Sequence, residues 1–323
     1  MPVTLEEAKK NTQDKLSPLV IDEFRKNNFL MNNLTFDDCV SPQGGGATMT
    51  YGYTRLITQP TAAFREVNKE YTPQEVTKER HTADLKIFGG SFQVDRVIAD
   101  MGGITKEVTL QMQQKIKAAS ALFNDTVING DSAVDAKAFD GLEKAVAGSS
   151  TEYTPSAAID LSTSDAIDKN YKYFLDALDE FLMGFDGTPG FIGGNIKLIS
   201  KIRACARRAA MYQTTKNDLG QQIESYAGIP LVNLGAKSGS NDPVVSINTT
   251  AGDANIGCTS LYAARFGLDG FHAVSPSGAL PVRQWLPDYT TAGAVKTGEV
   301  ELVAAVVLKA TKAAGVMRKI KVQ

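Results

Sequence analysis

Residues 104 to 128, ITKEVTLQMQQKIKAASALFNDTVI, constrain this chain more than any other stretch. Val108, Met112, Ile116, Ala119, Phe123 and Val127 follow at intervals of four, four, three, four and four, the spacing that lines side chains along one face of an α-helix. Gly102 and Gly103 break the chain before it, Thr105 can cap its first turn, and Asn129-Gly130 ends it. Such a helix runs roughly 35 Å, enough to cross a domain. Leu110, Ala118, Ala121 and Leu122 spread apolar atoms over its other faces, so it is expected to be packed from several sides. A chain with this helix in its interior has to build its layers around it.

The 323 residues leave room for about two domains and a sizeable core. No apolar run is long enough to span a membrane as a helix, and the N-terminus MPVTLEEAKKN lacks the basic-then-apolar order of a secretory signal. A net charge of −2 excludes a strongly basic DNA-condensing protein. Cys39, Cys205 and Cys258 are widely spaced and odd in number, which suits a reducing compartment without a disulfide framework.

Ahead of the long helix the chain reads as an arm and a hairpin. Thr4 and Glu7 form a capping box, and Leu19, Val20 and Phe24 give the arm one apolar side. Met49, Tyr51 and Tyr53 alternate with small residues in a strand over 48–59, and a second extended run covers 75–98. Strands of about twelve residues would carry the hairpin end about 40 Å from the body. That end holds eight charges of mixed sign: Arg65, Glu66, Lys69, Glu70, Glu75, Lys78, Glu79 and Arg80. With few apolar residues, it reads as a solvated loop or as an arm ordered by a neighbouring copy. Gly89-Gly90 is expected to form a bulge where the ribbon rejoins the body.

After the helix, Phe139-Asp140-Gly141-Leu142 reads as an apolar plug, and composition shifts near residue 150. Ser164 is expected to cap a helix striped by Ile167, Phe174, Leu175 and Leu178, and Asn195 a third, basic helix carrying Lys197, Lys201, Arg203, Arg207 and Arg208. Strands are expected at 191–192, 228–232, 244–247, 260–266, 299–308 and 315–322.

A search for chemistry finds no catalytic constellation. His81 and His272 lack spaced partners, no cysteine pair has metal-ligand spacing, and no nucleotide or hydrolase motif is present. No cofactor, metal or catalytic residue is therefore expected. The richest glycine cluster, Gly187, Gly190, Gly193 and Gly194, runs into a helix but departs from the dinucleotide spacing, and Pro189 removes one amide.

Taken together, the order of parts resembles a tailed-bacteriophage major capsid protein of the Hong Kong 97-type fold. The matching parts are the helical arm, the hairpin re-entering through KIFGGSFQVDRVI at 86–98, and the long helix ending at Asn129-Gly130. Phe139-Asp-Gly-Leu142, the ESYAGIPLV turn at 224–232, SLYAARFG at 260–267 and the returning C-terminal strands complete them. The resemblance covers nearly the whole chain by order and texture.

It implies an α+β fold with an N-terminal arm (1–36), a hairpin region (37–94) containing an extended E-loop, a peripheral domain (95–150 and 283–323) with the spine helix 104–128, and an axial domain (151–282). It further implies a structural head protein, not an enzyme, forming pentamers and hexamers that close into an icosahedral shell around double-stranded DNA. Intersubunit contacts would fall on the eight charged hairpin residues and on Leu19, Val20 and Phe24. Expected partners are other copies, a portal, a separate scaffolding protein, decoration proteins and packaged DNA bound without sequence specificity, with no membrane. The expected location is the virion, after synthesis in the host cytoplasm. Two alternatives stay open: an encapsulin-like nanocompartment shell, and a soluble α/β enzyme using the glycines at 187–194.

Overall fold

A computed structural model describes residues 29–40, 46–100, 107–210, 213–216, 222–278 and 282–323. The capping box at Thr4 and Glu7, the apolar side formed by Leu19, Val20 and Phe24, and the helix start signals Gly102, Gly103 and Thr105 lie outside them. The long helix is present as Glu107–Asn129 and buries Met112, Ala119, Phe123 and Val127 of the expected stripe. Val108 and Ile116 are only half-buried, while Ala121 and Ile128 from other faces are fully buried. The helix is enclosed most completely in its second half.

Two sheets form around it. In the first, the 14-residue strand Val295–Leu308 is central. One of its edges carries Lys86–Asp95, antiparallel from Val295↔Asp95 to Ala304↔Lys86. It also pairs with Phe271–Ser275 and Arg283–Trp285, and Phe36–Asp38 adds in parallel to Phe271–Ser275. The long helix packs on this sheet through Phe123, whose ring lies 5.8 Å from both Phe88 and Phe139 and 6.4 Å from Phe36.

The second sheet places Cys258–Ala264 between Ala314–Lys321 and Phe191–Gly194, then continues through Ile229–Asn233, Gln222–Tyr226 and Gln213–Lys216. The helices Ser164–Met183 and Ile196–Arg208 cover it, closing a second core of Ile167, Phe174, Leu178, Leu198, Ile202, Leu261 and Met317. The layers are interleaved along the chain, since Phe271–Ser275 belongs to the first sheet and Ala314–Lys321 to the second. A polar joint ties them. Arg318 on Ala314–Lys321 pairs with Glu143 at 2.6 Å and with Glu152, and Tyr262 donates its hydroxyl to Glu143 at 2.5 Å.

Four expectations change. Gly89 and Gly90 form no bulge: they stand in unbroken register opposite Glu301 and Val300. A Cβ on Gly89 would lie 1.9 Å from the Val300 carbonyl oxygen, so glycine serves close strand approach there. The hairpin strands, Thr50–Leu56 and Lys78–Asp84, are seven residues each, about 23 Å and not 40. The cap of the second helix is Thr163, one residue earlier, whose hydroxyl accepts from the Ala166 amide at 3.1 Å. Residues 244–247 are not a strand. Val244 and Val245 are buried, but their carbonyls accept from the Asn129 and Asn195 side chains, so amides replace ladder partners.

Candidate subunit-contact surface

The hairpin forms because Tyr51, Tyr53 and Arg55 alternate with small polar residues, and the ribbon lies with that face on the first sheet. Its register runs from Thr50↔Asp84 to Leu56↔Lys78, and Tyr53 stacks on the facing His81 at 5.4 Å. A polar root fixes it. Tyr53 donates its hydroxyl to the Leu308 carbonyl, and Arg55 donates to the Leu308 and Lys309 carbonyls, both at 2.9 Å. Tyr51 donates to Asp37 at 2.5 Å, and Lys309 sits 5.2 Å above the Tyr51 ring.

Burial, then the adjoining Asp37, push the Tyr51 phenol up. Burial also acts to raise the Asp37 carboxyl, but the Tyr51 hydroxyl, the Asp38 amide and Lys309 outweigh it and hold it below the ordinary range. His272 is fully buried under Tyr51, ring to ring at 5.9 Å, and burial pushes it down to about 4.

Beyond the strands, residues 57–77 have no helix or strand. Their limbs are joined by the Ile57 amide to the Thr77 carbonyl at 2.9 Å and by Gln74 accepting from the Thr61 amide at 2.6 Å. The turn at the end is closed by the Lys69 amide on the Glu66 carbonyl, with Asn68 at φ +69°. Several of the expected contact charges have partners within the copy. Lys69 pairs with Glu66 at 2.5 Å, and Arg65 donates to the Glu66 and Lys69 carbonyls while lying 5.5 Å over Tyr71. Glu79 is 3.8 Å from His81, and Arg80 lies along Gly52. Glu70, Glu75 and Lys78 are exposed, and no ion-pair or side-chain hydrogen-bond partner is found for them among the described residues.

The hairpin end also carries side chains that sequence reasoning passed over. Phe64 is fully exposed, Val67 is 86% exposed and Tyr71 59%. Each is ordinary alone; here three exposed apolar side chains fall on one loop. The signal was present in FREVNKEY at 64–71, where charges between the apolar residues made the stretch read as solvated.

The competing sites are filled or satisfied. A Cβ on Gly190 would meet Phe266 at 2.7 Å, and one on Gly194 would meet Leu198 at 2.8 Å, so the glycine cluster is closed by apolar packing. The helix start beyond it is capped by Asn195, which accepts from the Leu198 amide at 2.9 Å. On the basic helix, Arg203 pairs with Glu224 at 2.6 Å, Arg208 with Asp168, and Lys201 donates to the Ser162 carbonyl. Among the described residues no His, Cys, Asp and Glu cluster can hold a metal, and no helix is long and apolar enough to cross a membrane.

No protein-family model matches the sequence. No curated protein matches it either. Solved structures do match, over nearly the full length. The encapsulin chain of the holo-SrpI encapsulin complex from Synechococcus elongatus superposes with a TM-score of 0.66 at 15% identity, covering 99% of this chain and 97% of that one. The capsid of an empty GTA particle gives 0.63 at 12%, covering 98% of both chains. Mycobacterium phage Bobi gives 0.62 at 13%, again covering 98% of both. The chain has the Hong Kong 97-type fold of phage capsids and encapsulins.

Proposed function

We propose that this chain is a shell-forming subunit, a major capsid protein whose copies assemble as pentamers and hexamers into an icosahedral container for double-stranded DNA. The observation that carries the reading is an exposed apolar hairpin end on a chain that follows the capsid fold from end to end. Phe64, Val67 and Tyr71 gain about 25 cal/mol for each Å² of apolar surface that a neighbour covers. Exposed charge pairs around them add about 0–1 kcal/mol apiece. Repeated at every contact of a shell, such modest terms drive closure without contributing to the fold of one copy.

In this reading the hairpin is the E-loop within the region 37–94, following an N-terminal arm at 1–36. The long helix is the spine of a peripheral domain at 95–150 and 283–323, and 151–282 is the axial domain. Phe271–Ser275 and Ala314–Lys321 each cross into the other body's sheet and so couple the two. The role is structural, without a catalytic step. The partners are further copies, a portal, a separate scaffolding protein and decoration proteins. The place of action is the virion.

A second reading has its own support in the encapsulin similarity: a nanocompartment shell enclosing protein cargo in place of DNA. Ultraviolet absorbance of nuclease-treated particles separates the two, since packaged nucleic acid dominates the spectrum and protein cargo does not.

Replacing residues 58–76 by a short Gly/Ser turn tests both readings, because it spares the strands and the Ile57–Thr77 bond. The free subunit should melt as wild type does. Closed shells should be lost, or should fall apart at moderate salt where surface charges are screened. Shells as durable as wild type would remove the hairpin end from the account.

A further inference from the structure

The chain has two histidines, and each lies against a tyrosine of the first hairpin strand: His81 on Tyr53, His272 under Tyr51. His272 is fully buried on Phe271–Ser275, opposite Val307, and no hydrogen-bond partner is found for either ring nitrogen among the described residues. Four titratable groups face it: Asp37 from Phe36–Asp38, Asp269 from the preceding turn, Lys309 after the central strand, and Tyr51. Each is already engaged. Asp37 accepts from Tyr51 and lies 3.7 Å from Lys309, Asp269 pairs with Arg265 at 3.0 Å, and Lys309 covers the Tyr51 ring. The Gly270 carbonyl is taken by the Lys309 amide at 3.0 Å. An imidazolium in this seat is a desolvated cation whose N–H groups lack acceptors.

We propose that Tyr51 seated on His272 is an acid-opened latch, in which proton uptake by His272 lifts Tyr51 and releases the hairpin from the first sheet. A protonated His272 competes with Tyr51 for Asp37 and stands beside the positive Lys309, so both changes act against the seat. Among the described residues, the side-chain hydrogen bonds from the hairpin strands to the body come from Tyr51, Tyr53 and Arg55, all on one strand. Leu85 is the pivot: it is buried, and its amide donates to the Met49 carbonyl at 2.8 Å. The ribbon can therefore swing while Lys86–Asp95 keeps its place in the sheet. The latch lies within one copy and does not rest on the shell reading.

Of the groups at the root, the imidazole is the one that changes charge between about pH 6.5 and 4. Burial lowers His272 to about 4, while Asp37 stays below the carboxylate range, as does Asp269 through its Arg265 hydrogen bond. Burial pushes the Tyr51 phenol and the neighbouring Cys39 thiol up. The open form, with an ordinary imidazole, takes the proton first. Its ratio to the closed form should rise about 30-fold between pH 7 and 5 and level off below pH 4.

Native-state hydrogen exchange on the unassembled full-length chain, corrected for the intrinsic effect of pH, tests this. Once lifted, a two-stranded ribbon is marginal, so its ladder amides in Thr50–Leu56 and Lys78–Asp84 exchange. Their opening should speed up about 30-fold from pH 7 to 5 and respond little to low urea, because it exposes little surface. Amides of Cys258–Ala264 should exchange only through a urea-sensitive unfolding. In His272→Phe the hairpin opening should lose its pH dependence. A hairpin that opens only with the core, that ignores pH, or that keeps its pH dependence in His272→Phe overturns the latch. Should that variant not fold, nuclear magnetic resonance of wild type labelled with carbon-13 histidine decides: His272 protonating while the hairpin amides stay protected contradicts the proposal, and joint change supports it.

Discussion

Phe123→Ala is the perturbation that reaches furthest into this structure. Phe123 is 1% exposed and its ring touches three others, Phe36, Phe88 and Phe139, with centroids 5.8 to 6.4 Å away. With Phe123 itself, the four rings come from four separate segments, so one truncation loosens the long helix, the first sheet and the plug together. Removing a fully buried phenyl costs about 3–5 kcal/mol, and each lost aromatic pair adds to the transfer term. At roughly 2 °C per kcal/mol for a chain of this size, the midpoint should fall about 6–10 °C.

Ile116→Ala is the internal control. Ile116 sits on the same stripe but is only half-buried, so about half of the full Ile→Ala cost is expected, near 1–2 kcal/mol. The assay is thermal unfolding of unassembled subunits followed by near-ultraviolet circular dichroism. If Phe123→Ala melts within a degree of wild type, or Ile116→Ala costs as much, the helix does not organise the packing in the way described.

Three further outcomes are expected. Because burial lowers His272 from 6.5 to about 4, the unfolded chain takes up its proton first, so stability falls as pH drops from about 6.5 to 4, by at most about 1.4 kcal/mol per unit. His272→Phe should flatten that part of a denaturation-midpoint profile, and an unchanged slope would assign the loss to other groups. Gly89→Ala should impair folding because its Cβ meets the Val300 carbonyl, whereas Gly90→Ala meets only the Lys115 side chain at 3.4 Å and should express and melt nearly as wild type; equal behaviour would contradict the close approach. Thr163→Ala should cost about 1 kcal/mol and Ser164→Ala little, read as urea midpoints, and the reverse order would restore Ser164 as the cap.

The long helix and the hairpin were legible because each writes a period into the sequence: the stripe Met112, Ala119, Phe123, Val127, and the alternation Tyr51, Tyr53. Local pattern failed where the partner of a segment is distant in the chain. Val244 and Val245 have strand-like side chains, yet Asn129 and Asn195 take their carbonyls, and nothing near residue 244 announces that. Gly89-Gly90 looked like a break because the crowding that requires Gly89 comes from Val300, more than two hundred residues away. The hairpin end was read as a charged loop over 65–80, whereas Lys78, Glu79 and Arg80 lie on the returning strand, and its exposed Phe64 became evident only once nothing in the described residues covered it.

Sedimentation velocity of the purified wild-type chain, with electron micrographs of the same fractions, tests the central claim most directly. The account predicts closed shells of megadalton mass, in equilibrium with or assembled from small rings of subunits. A chain that stays a monomer or small oligomer across protein concentration and salt, and shows no particles in the micrographs, would contradict it.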